Sequence, residues 1–574
     1  MGYGRSRSVH SGQLVIAELV AVTGVLAALS RSPVGWLVGV PVALGLALLG
    51  FGRWRGRWLY VWLGIGLRYG SRPRALAPGA GSAALLARVE PGAQVDLVEP
   101  YGVIAAETGV VAVLALDDPL RLLTGTPTTL PSPVALLPPA GPDTPAVQVQ
   151  LLVTGAPAPA LRAAAGLPGT SYRQLTEGRG VADQRAFLAV RVVRDGWPDE
   201  ELRRILTGTL RRLRWRLTQE RIEHRPLGPE ATHAALAELT HYQPGAAVRE
   251  SWSGLYAGGL RQASARIGRV ATLRPELAGQ LVARLLTLPA ATTTVSVAAS
   301  AAGADLVVRL AVPHAAGLSN AVQAMRRLVG SVGLTVQRLD GEHLTGLAAT
   351  LPLGLVGPAA PVGALADSRI ELPGAGVVLG RNRHGEPVTI RLVRSEPTRA
   401  VLVGGVRVAE LLTMRALAHG ILVVVQTERP HAWEPFLRAV SLPSDAIALL
   451  PPGHPVTLPT AGPLGPQLVV LDATGDLPIG DSPWRTTVLL RDQLGAGEVD
   501  ALAGADLVIL QPLSPGEAAL AGGILGLGDG QEWLARIGAD MVAVVNRRSM
   551  RFARLAATPL EQQLIGNLER VAAA

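Results

Sequence analysis

Two long apolar runs open the chain, from Leu14 to Leu29 and from Val34 to Phe51. Helices over these runs would be roughly 24 and 27 Å long, close to the ~30 Å hydrocarbon core of a bilayer. Only residues 30–33 separate them, and no Ala-x-Ala cleavage site lies between them. The pattern therefore favours two transmembrane helices over a signal peptide and predicts a membrane anchor at residues 1–52.

The arginines flanking these runs predict their orientation. Arg5 and Arg7 precede the first run, and Arg31 alone lies in the connecting turn. Six more follow the second run: Arg53, Arg55, Arg57, Arg68, Arg72 and Arg74. Because cytoplasmic flanks carry the excess of basic residues, both termini should face the cytoplasm of a plasma-membrane protein that crosses the bilayer twice.

Residues 53–74 interleave aromatic and basic side chains, a composition typical of the lipid headgroup layer. We expect an interfacial helix here that lies on the cytoplasmic surface and contacts anionic lipid headgroups. The alternative is a cytosolic extension of the second span packed against a partner. The candidate interface residues are Arg53, Trp54, Arg55, Arg57, Trp58, Tyr60, Trp62, Arg68 and Tyr69.

Glu18 is the acidic residue inside the first apolar run. A carboxylate costs a few kcal/mol at mid-bilayer and less near an edge. It lies about one turn from the cytoplasmic end, so its side chain could extend to the interface. A polar contact with the helix of a partner is the alternative.

The remainder of the chain alternates between short apolar strands and amphipathic helices, which predicts a large cytoplasmic α/β body. Residues 75–145 form a small β-rich segment, residues 146–351 an α+β domain, and residues 352–369 a Gly/Pro-rich linker. In the α+β domain a β-β-α-β-α order recurs, first at strands 146–154 and 185–194, helix 199–219, strand 222–226 and helix 230–239. The second copy has strands 292–299 and 304–312, helix 315–329, strand 334–339 and helix 342–350.

Helix 199–219 combines a leucine stripe at helical spacing with six arginines. The leucines predict a buried face. The arginines indicate either a solvated face or a contact with an acidic partner or the lipid surface.

Residues 370–574 read as a C-terminal domain in which apolar strands alternate with helices, which predicts a parallel sheet. The strand at 400–405 ends in Gly404-Gly405 and opens a helix, where nucleotide-binding folds place a phosphate loop. The strand ending in Asp472 resembles the metal-carboxylate strand of ATPases. Neither Gly-x-Gly-x-x-Gly nor the lysine of a phosphate loop is present, so the domain resembles a degenerate nucleotide-binding fold.

Composition excludes several classes of function. The chain has no cysteine, and all 53 of its basic residues are arginine. Thiolate zinc sites, cysteine nucleophiles, phosphate-loop lysines and Schiff-base lysines are therefore excluded. The histidines are scattered, and no catalytic or metal-ligating constellation emerges, so we expect no enzyme, no cofactor, no metal and no small-molecule substrate. The net charge of +9 concentrates near the apolar runs, which favours anionic lipid over nucleic acid as the partner.

Several segments resemble the EccE family, a membrane component of type VII (ESX) secretion in actinobacteria. They are the two-span start with Arg57-Trp58-Leu-Tyr60-x-Trp62 and Arg68-Tyr69, Glu250-Ser-Trp252, Arg338-Leu-Asp340-Gly-Glu342, Ala349-Thr-Leu-Pro352-Leu-Gly354, Val377-Val-Leu-Gly380 and Thr398 to Gly405. Their order and the topology carry the resemblance, because no single motif is diagnostic.

The resemblance implies a scaffold subunit of a plasma-membrane secretion complex, beside other membrane subunits and a separate ATPase. The C-terminal domain exceeds that of short family members. Two alternatives stay open at this point. One is a membrane-tethered α/β enzyme or sensor of a nucleotide-like ligand, and the other is a lipid-binding regulator that acts alone.

Overall fold

The computed structural model describes most of the chain. The described residues are 11–30, 33–54, 56–76, 81–116, 121–124, 128–141, 143–242, 247–358, 360–440, 446–456, 458–474, 480–547 and 549–570. All statements below concern these residues.

The N-terminal region consists of a helical hairpin, a short β-hairpin and a third helix. Its elements are α1 (Ser11–Leu29), α2 (Pro33–Phe51), β1 (Arg53–Trp54), β2 (Arg57–Trp58) and α3 (Leu59–Ser71). The interfacial segment is thus not helical throughout, because it begins with an antiparallel β1–β2 pair. Gly56 lies in the connecting turn at φ +82°, a conformation that favours glycine.

Residues 75–351 contain fifteen of the described strands and eight of the described α-helices. The strands are β3 (Ala75–Leu76), β4 (Gln94–Val98), β5 (Tyr101–Ala106), β6 (Gly109–Ala115), β7 (Leu123–Thr124), β8 (Thr128–Pro131), β9 (Val147–Pro157), β10 (Val181–Val193), β11 (Arg225–Pro226), β12 (Val248–Ser251), β13 (Gly254–Ala257), β14 (Leu260–Gly268), β15 (Thr292–Ser300), β16 (Gly303–Val312) and β17 (Thr335–Arg338). The helices are α4 (Gly81–Val89), α5 (Pro133–Leu136), α6 (Leu167–Thr176), α7 (Asp199–Gln219), α8 (Pro229–Thr240), α9 (Pro275–Leu286), α10 (Ala315–Ser331) and α11 (His343–Ala349), with a 3₁₀ turn at Val270–Thr272.

Thirteen of the described strands form one large sheet, which we call the repeat sheet. Its main path runs β3-β12-β13-β14-β16-β15-β9-β10-β6-β5-β4. The antiparallel pair β9–β15 lies at its centre, and one copy of the β-β-α-β-α order lies on either side. The short strands occupy equivalent places, since β11 pairs with β6 and β17 pairs with β14.

The equivalence extends further than the sequence pattern indicated. The meander β4-β5-β6 precedes the first copy and flanks the sheet on one side, and the meander β12-β13-β14 does the same for the second copy. Strands from residues 75–145 therefore share a sheet with strands from residues 146–351. One detail differs from the expectation: α6 is inserted between the first two strands of the first copy.

Helices cover both faces of the repeat sheet. Along β6 the side chains alternate, so that Val110, Ala112 and Leu114 join one core while the intervening residues join the other. Helices α7, α9 and α10 pack on the first face, and α4, α8 and α11 pack on the second. The buried leucine stripe predicted for α7 is confirmed at Leu202, Leu206, Leu210, Leu213 and Leu217.

The rest of the chain builds a second sheet and its helices, together with one strand, β18, that pairs with β8 in a separate two-stranded sheet. The strands are β18 (Arg369–Leu372), β19 (Val377–Arg381), β20 (Pro387–Ile390), β21 (Thr398–Val403), β22 (Leu422–Thr427), β23 (Ile447–Leu450), β24 (Gln467–Asp472), β25 (Arg485–Arg491), β26 (Leu507–Leu510), β27 (Met541–Asn546) and β28 (Ser549–Leu555). The helices are α12 (Val406–Ala418), α13 (Pro430–Val440), α14 (Val499–Ala503), α15 (Pro515–Leu525), α16 (Gln531–Leu534) and α17 (Pro559–Ile565), with 3₁₀ turns at Gly363–Leu365, Ala496–Glu498 and Gly528–Gly530.

The second sheet is mixed, whereas a parallel sheet was expected. Its order among the described strands is β23-β22-β24-β25-β21-β26-β27-β28-β19-β20-β7. The first six strands in this order, β23, β22, β24, β25, β21 and β26, pair in parallel. The strands from β27 onward are antiparallel, because tight hairpins such as β27–β28 replace helical crossovers. Strand β7 comes from residues 75–145, so that segment contributes to both sheets.

Candidate functional site: the junction of anchor and body

Helices α1 and α2 pack against each other as an antiparallel hairpin. Glycines of α2 make the close approach possible, since a Cβ at Gly39 would lie 2.4 Å from Ala27 and one at Gly50 would lie 2.6 Å from Ile16. Small residues at such a contact are typical of helices that associate in membranes. Of the described helices, Pro33–Phe51 is long and apolar enough to cross a bilayer, and the apolar part of α1, Gln13–Leu29, is shorter.

The β1–β2 hairpin leads from the end of α2 into α3. The guanidinium of Arg53 lies 3.8 Å from the ring centre of Trp58, a cation–π contact that holds the two strands together. The indole N–H of Trp62 donates to the carbonyl of Trp54 at 3.0 Å. Hydrogen bonds and ring contacts therefore connect the α1–α2 hairpin to the start of α3.

One face of α3 packs on the body through aromatic rings. The ring centre of Trp252, in the turn between β12 and β13, lies 5.9 Å from Trp62 and 5.3 Å from Tyr69. Ile65, on the same face, is 1% exposed. Gly341 closes this cluster at φ +74°, where a Cβ would lie 2.7 Å from the Trp252 ring. We call these residues, Trp62, Ile65, Tyr69, Trp252 and Gly341, the aromatic cluster.

Ion pairs flank the aromatic cluster, and the two shortest involve Arg57 and Arg72. Arg57 donates to Glu342 at 2.7 Å, and the Arg57 side chain is 8% exposed. Arg72 donates to both carboxylate oxygens of Glu250, at 2.7 and 2.8 Å. The Glu250 side chain is fully buried, so these hydrogen bonds replace the water that the carboxylate loses on folding.

Glu250 is satisfied from both sides of the junction. In addition to Arg72 it accepts a hydrogen bond from the backbone N–H of Leu344, at the start of α11, at 2.9 Å. Arg72 also donates to the carbonyl of Gly341 at 2.9 Å. Strand β3 then pairs with β12, so the chain leaving α3 becomes the edge strand of the repeat sheet. The anchor is thus connected to the body by backbone and side-chain bonds together.

The opposite face of α3 is exposed. Leu63 and Leu67 are 52% and 67% exposed, and they lie one helical turn apart. Trp54 of the preceding hairpin is also half exposed. The helix therefore presents one apolar face to the body and a second apolar strip away from it.

A second possible site lies at the carboxyl edge of the parallel strands in the C-terminal domain. Ligands bind at this edge in open α/β sheets. Here the side chain of Gln511 occupies the position next to Gly404-Gly405: its Oε1 accepts from the N–H of Gly405 at 2.8 Å, and its Nε2 donates to the carbonyl of Leu568 at 2.7 Å. A Cβ at Gly404 would lie only 2.4 Å from that amide oxygen.

Asp472, at the end of β24, is also fully engaged by protein groups. It accepts hydrogen bonds from Thr427 at 2.8 Å, from Trp433 at 2.8 Å and from the guanidinium of Arg429 at 2.6 to 3.0 Å. Burial alone would raise the pKa of this carboxyl, but these hydrogen bonds outweigh burial and hold the pKa below its ordinary value. An arginine therefore stands beside the carboxylate where an ATPase would hold a cation.

The C-terminal tail covers the same edge. Arg570 donates to Glu517 at 2.7 Å and to the carbonyl of Pro512 at 2.7 Å. Burial would raise the pKa of Glu517, but hydrogen bonds from Arg570, Ser514 and Leu494 lower it to about 2. Within the described part of the chain, no group of three or more acidic or histidine side chains could hold a metal ion.

Residues 182–267 match the family model described as "Putative type VII ESX secretion system translocon, EccE". The matched stretch runs from β10 to β14 and includes Glu250 and Trp252 of the junction. Over these residues the chain is similar to the EccE family.

No curated protein matches this chain. Similar solved structures include the genome-packaging NTPase B204 of Sulfolobus turreted icosahedral virus 2 bound to AMPPCP, at 8% identity and a TM-score of 0.22, over 28% of this chain and 100% of that chain. The B204 DNA-packaging ATPase of Sulfolobus turreted icosahedral virus has 9% identity and a TM-score of 0.21, over 28% of this chain and 99% of that one. At these TM-scores the similarity supports no conclusion.

Three segments on which the EccE resemblance rests meet at the junction. They are the stretch from Arg57 to Tyr69, the stretch from Glu250 to Trp252 and the stretch from Arg338 to Glu342. Of the candidate interface residues, Arg57, Trp62 and Tyr69 face the body, whereas Arg53, Trp54 and Arg68 are exposed, and Trp58 and Tyr60 are half-buried. Arg55 lies outside the described residues.

Sequence reasoning missed the roles of Arg72, Glu250 and Glu342 at this junction. An acidic residue at a strand end or in a turn is usually expected to have its side chain exposed to solvent. The signal that could have found them is the match in charge between an arginine-rich segment near the membrane and two acidic residues inside otherwise apolar motifs.

Proposed function

We propose that this protein is a non-catalytic scaffold subunit of a type VII protein secretion complex in the plasma membrane. Two N-terminal helices cross the bilayer, both termini lie in the cytoplasm, and the α/β body is held beneath the inner surface. The protein acts by contact with the other membrane subunits. The EccE match supports a place in a secretion translocon, and the junction of anchor and body is the observation that carries the scaffold role.

The junction supports this proposal because it fixes the position of the body relative to the anchor. A tether would need only a flexible linker between membrane helix and body. Instead, the buried Glu250–Arg72 pair, the aromatic cluster and the β3–β12 pairing fix α3 on the body. A body held in this way has a defined orientation relative to the membrane, which a subunit that docks against membrane-embedded neighbours requires.

The outer face of α3 supports a location at the membrane surface. Leu63 and Leu67 are exposed beside the aromatic and basic residues of the β1–β2 hairpin. A helix with such an apolar strip lies in the headgroup layer with the strip towards the acyl chains. The predicted contact of Arg53 and Arg68 with anionic lipid headgroups belongs to this proposal, as does the absence of a nucleic-acid partner.

The C-terminal domain supports a role without catalysis. Gln511 lies against Gly404-Gly405, Arg429 pairs with Asp472, and the tail residue Arg570 covers the same edge. Protein side chains thus occupy the positions at which a nucleotide phosphate and its cation would bind. A domain of this kind contributes surface and rigidity, in agreement with the lack of a catalytic constellation in the sequence.

Assembly tests the scaffold role directly. Membranes that contain the tagged full-length protein are extracted with a mild detergent, and the complex is resolved by size and analysed by mass spectrometry. We expect the protein in a very large complex together with other secretion subunits. Recovery of the protein as a monomer under conditions that preserve the other subunits as a complex would contradict the proposal.

A nucleotide titration tests the alternative of a nucleotide-like ligand sensor. The purified full-length protein is titrated with ATP and Mg²⁺ and followed by calorimetry, with Gln511→Ala as the matched variant that opens the position beside Gly404-Gly405. We expect no saturable binding by the natural chain. Saturable micromolar binding, or turnover of ATP by the protein alone, would favour the alternative.

A further inference from the structure

A polar cavity lies beside the junction, at the foot of the membrane anchor. Its volume is about 490 Å³, and it lies between the anchor segment, α10 and β17. Its wall contains three guanidinium groups, one carboxylate and one indole ring, contributed by Arg57, Arg326, Arg338, Asp340 and Trp62. No candidate site identified from the sequence includes this combination, because α10 is distant from the anchor along the chain.

The charges in this cavity are unequally compensated. Arg57 is paired with Glu342 at 2.7 Å, and Arg338 lies 3.0 Å from Asp340. Arg326 is exposed and has no ion pair among the described residues. The cavity therefore keeps a positive charge that no protein carboxylate in the described chain neutralises, and two further guanidinium groups line the same cavity.

We propose that this cavity binds a phosphate-bearing anion, the headgroup of an anionic lipid. Guanidinium groups bind phosphate oxygens through paired N–H donors, and several of them around one cavity match the oxygens of a phosphodiester. Arg326 supplies the uncompensated charge, Arg338 and Arg57 supply further donors, and the Trp62 ring lines the side of the cavity.

Its position decides between a lipid and a soluble phosphate. Arg57 belongs to the β1–β2 hairpin, which follows directly on the membrane helix α2. Basic pockets beside membrane helices on the cytoplasmic side are typical binding places for anionic headgroups. The inference rests on the proposed membrane anchoring, and it adds a specific binding site to the general attraction between basic residues and lipid.

Native mass spectrometry of the full-length protein in a neutral detergent tests the site. An equimolar mixture of dioleoyl phosphatidylglycerol and dioleoyl phosphatidylcholine is added, and retained lipid is counted for the natural chain, Arg326→Gln and Arg327→Gln. Arg327 is the matched control, because it is exposed, adjacent on the same helix and absent from the cavity wall. We expect Arg326→Gln to reduce retained phosphatidylglycerol by about fivefold and Arg327→Gln to leave it unchanged.

A second arm replaces lipid with millimolar inorganic phosphate and follows the melting temperature. If phosphate stabilises the natural chain but not Arg326→Gln, and no lipid is retained, the anion site stands and its ligand is soluble. Equal loss of lipid in both variants, or no dependence on Arg326 in either arm, overturns the site. Because assembly of the secretion complex is measured separately, a failure here leaves the proposed function standing.

Discussion

Arg72 and Glu250 lie 178 positions apart in the chain, yet the terminal nitrogen Nη2 of Arg72 contacts both carboxylate oxygens of Glu250, at 2.7 and 2.8 Å. The arginine follows α3, and the glutamate belongs to the repeat sheet. The carboxylate is fully buried and also caps the backbone at Leu344. A pair of this kind is tolerated only where the partners are fixed, so it marks the place at which the anchor and the body become one structure.

Replacing Glu250 with alanine tests the strength of this connection. The change removes the acceptor of the Leu344 N–H and leaves the Arg72 guanidinium with the carbonyl of Gly341 alone. Breaking a buried pair costs about 3 kcal/mol, and the partial exposure of Arg72 makes this an upper value. We expect a lower melting temperature of the full-length protein in detergent, measured by intrinsic fluorescence. Glu434→Ala on α13 is the control, because that side chain is exposed. Equal melting temperatures for the two variants would contradict the assigned role of Glu250.

Replacing Trp252 with alanine tests the aromatic cluster. The variant loses the ring contacts to Trp62 and Tyr69, so α3 should separate from the body more often. Trypsin would then cut after Arg68 or Arg74, since the Arg72–Pro73 bond resists trypsin, and release the body from inside-out membrane vesicles several-fold faster than in the natural chain. Trp533→Ala is the control, since Trp533 is 58% exposed and distant from the junction in sequence. Release at the natural rate would show that the cluster does not hold the anchor.

Much of the fold follows from local pattern. The leucines of α7 recur at helical spacing, and the structure buries each of them. Strands β21 and β24 contain the apolar runs Ala400–Val403 and Leu468–Leu471, which favour buried strands. The pattern cannot show which strands pair. Hairpins such as β27–β28 make the end of the C-terminal sheet antiparallel, so a parallel sheet was the wrong expectation there. The contribution of β7 depends on contact between distant segments.

The candidate site was accessible from the sequence only in part. The aromatic and basic residues from Arg53 to Tyr69 indicated a special segment, because such a mixture is costly to bury and costly to expose. Their division into a face towards the body and a face away from it could not be predicted, since the partners Trp252 and Glu342 lie far along the chain. The pairing of Arg429 with Asp472 could not be predicted either, because the sequence shows both residues but not their contact.

His419 makes stability depend on pH. Its ring packs edge-on against Tyr172 with centroids 4.7 Å apart, and burial lowers its pKa to about 3. The unfolded chain takes up a proton near about pH 6.5, while the folded chain does not, so this contribution to stability is present above about pH 6.5 and is lost as the pH falls. Between about pH 7 and about pH 5 we expect a loss of about 2 kcal/mol from this residue.

The measurement for His419 compares variants, because other groups titrate in the same range. Burial raises the pKa of Glu410 to about 7, so that carboxyl contributes stability at low pH that is lost as the pH rises towards 7, the opposite sign. Chemical unfolding of the natural chain and of His419→Gln is followed at both pH values. The variant should lose less stability on acidification than the natural chain. Parallel losses in the two proteins would rule out His419 as a source of the pH dependence.

Glu18 should matter for assembly and not for folding. Its side chain points away from α2 on the exposed face of the anchor hairpin, and a carboxylate in the hydrocarbon core costs a few kcal/mol unless a polar group receives it. We propose that a helix of a neighbouring subunit provides that group. Glu18→Leu should then leave membrane insertion and the melting temperature of the body unchanged, but lower the fraction of protein recovered in the large complex. Leu26→Ala, at another exposed position of α1, is the control. Normal assembly of Glu18→Leu would mean that the carboxylate merely extends to the cytoplasmic interface.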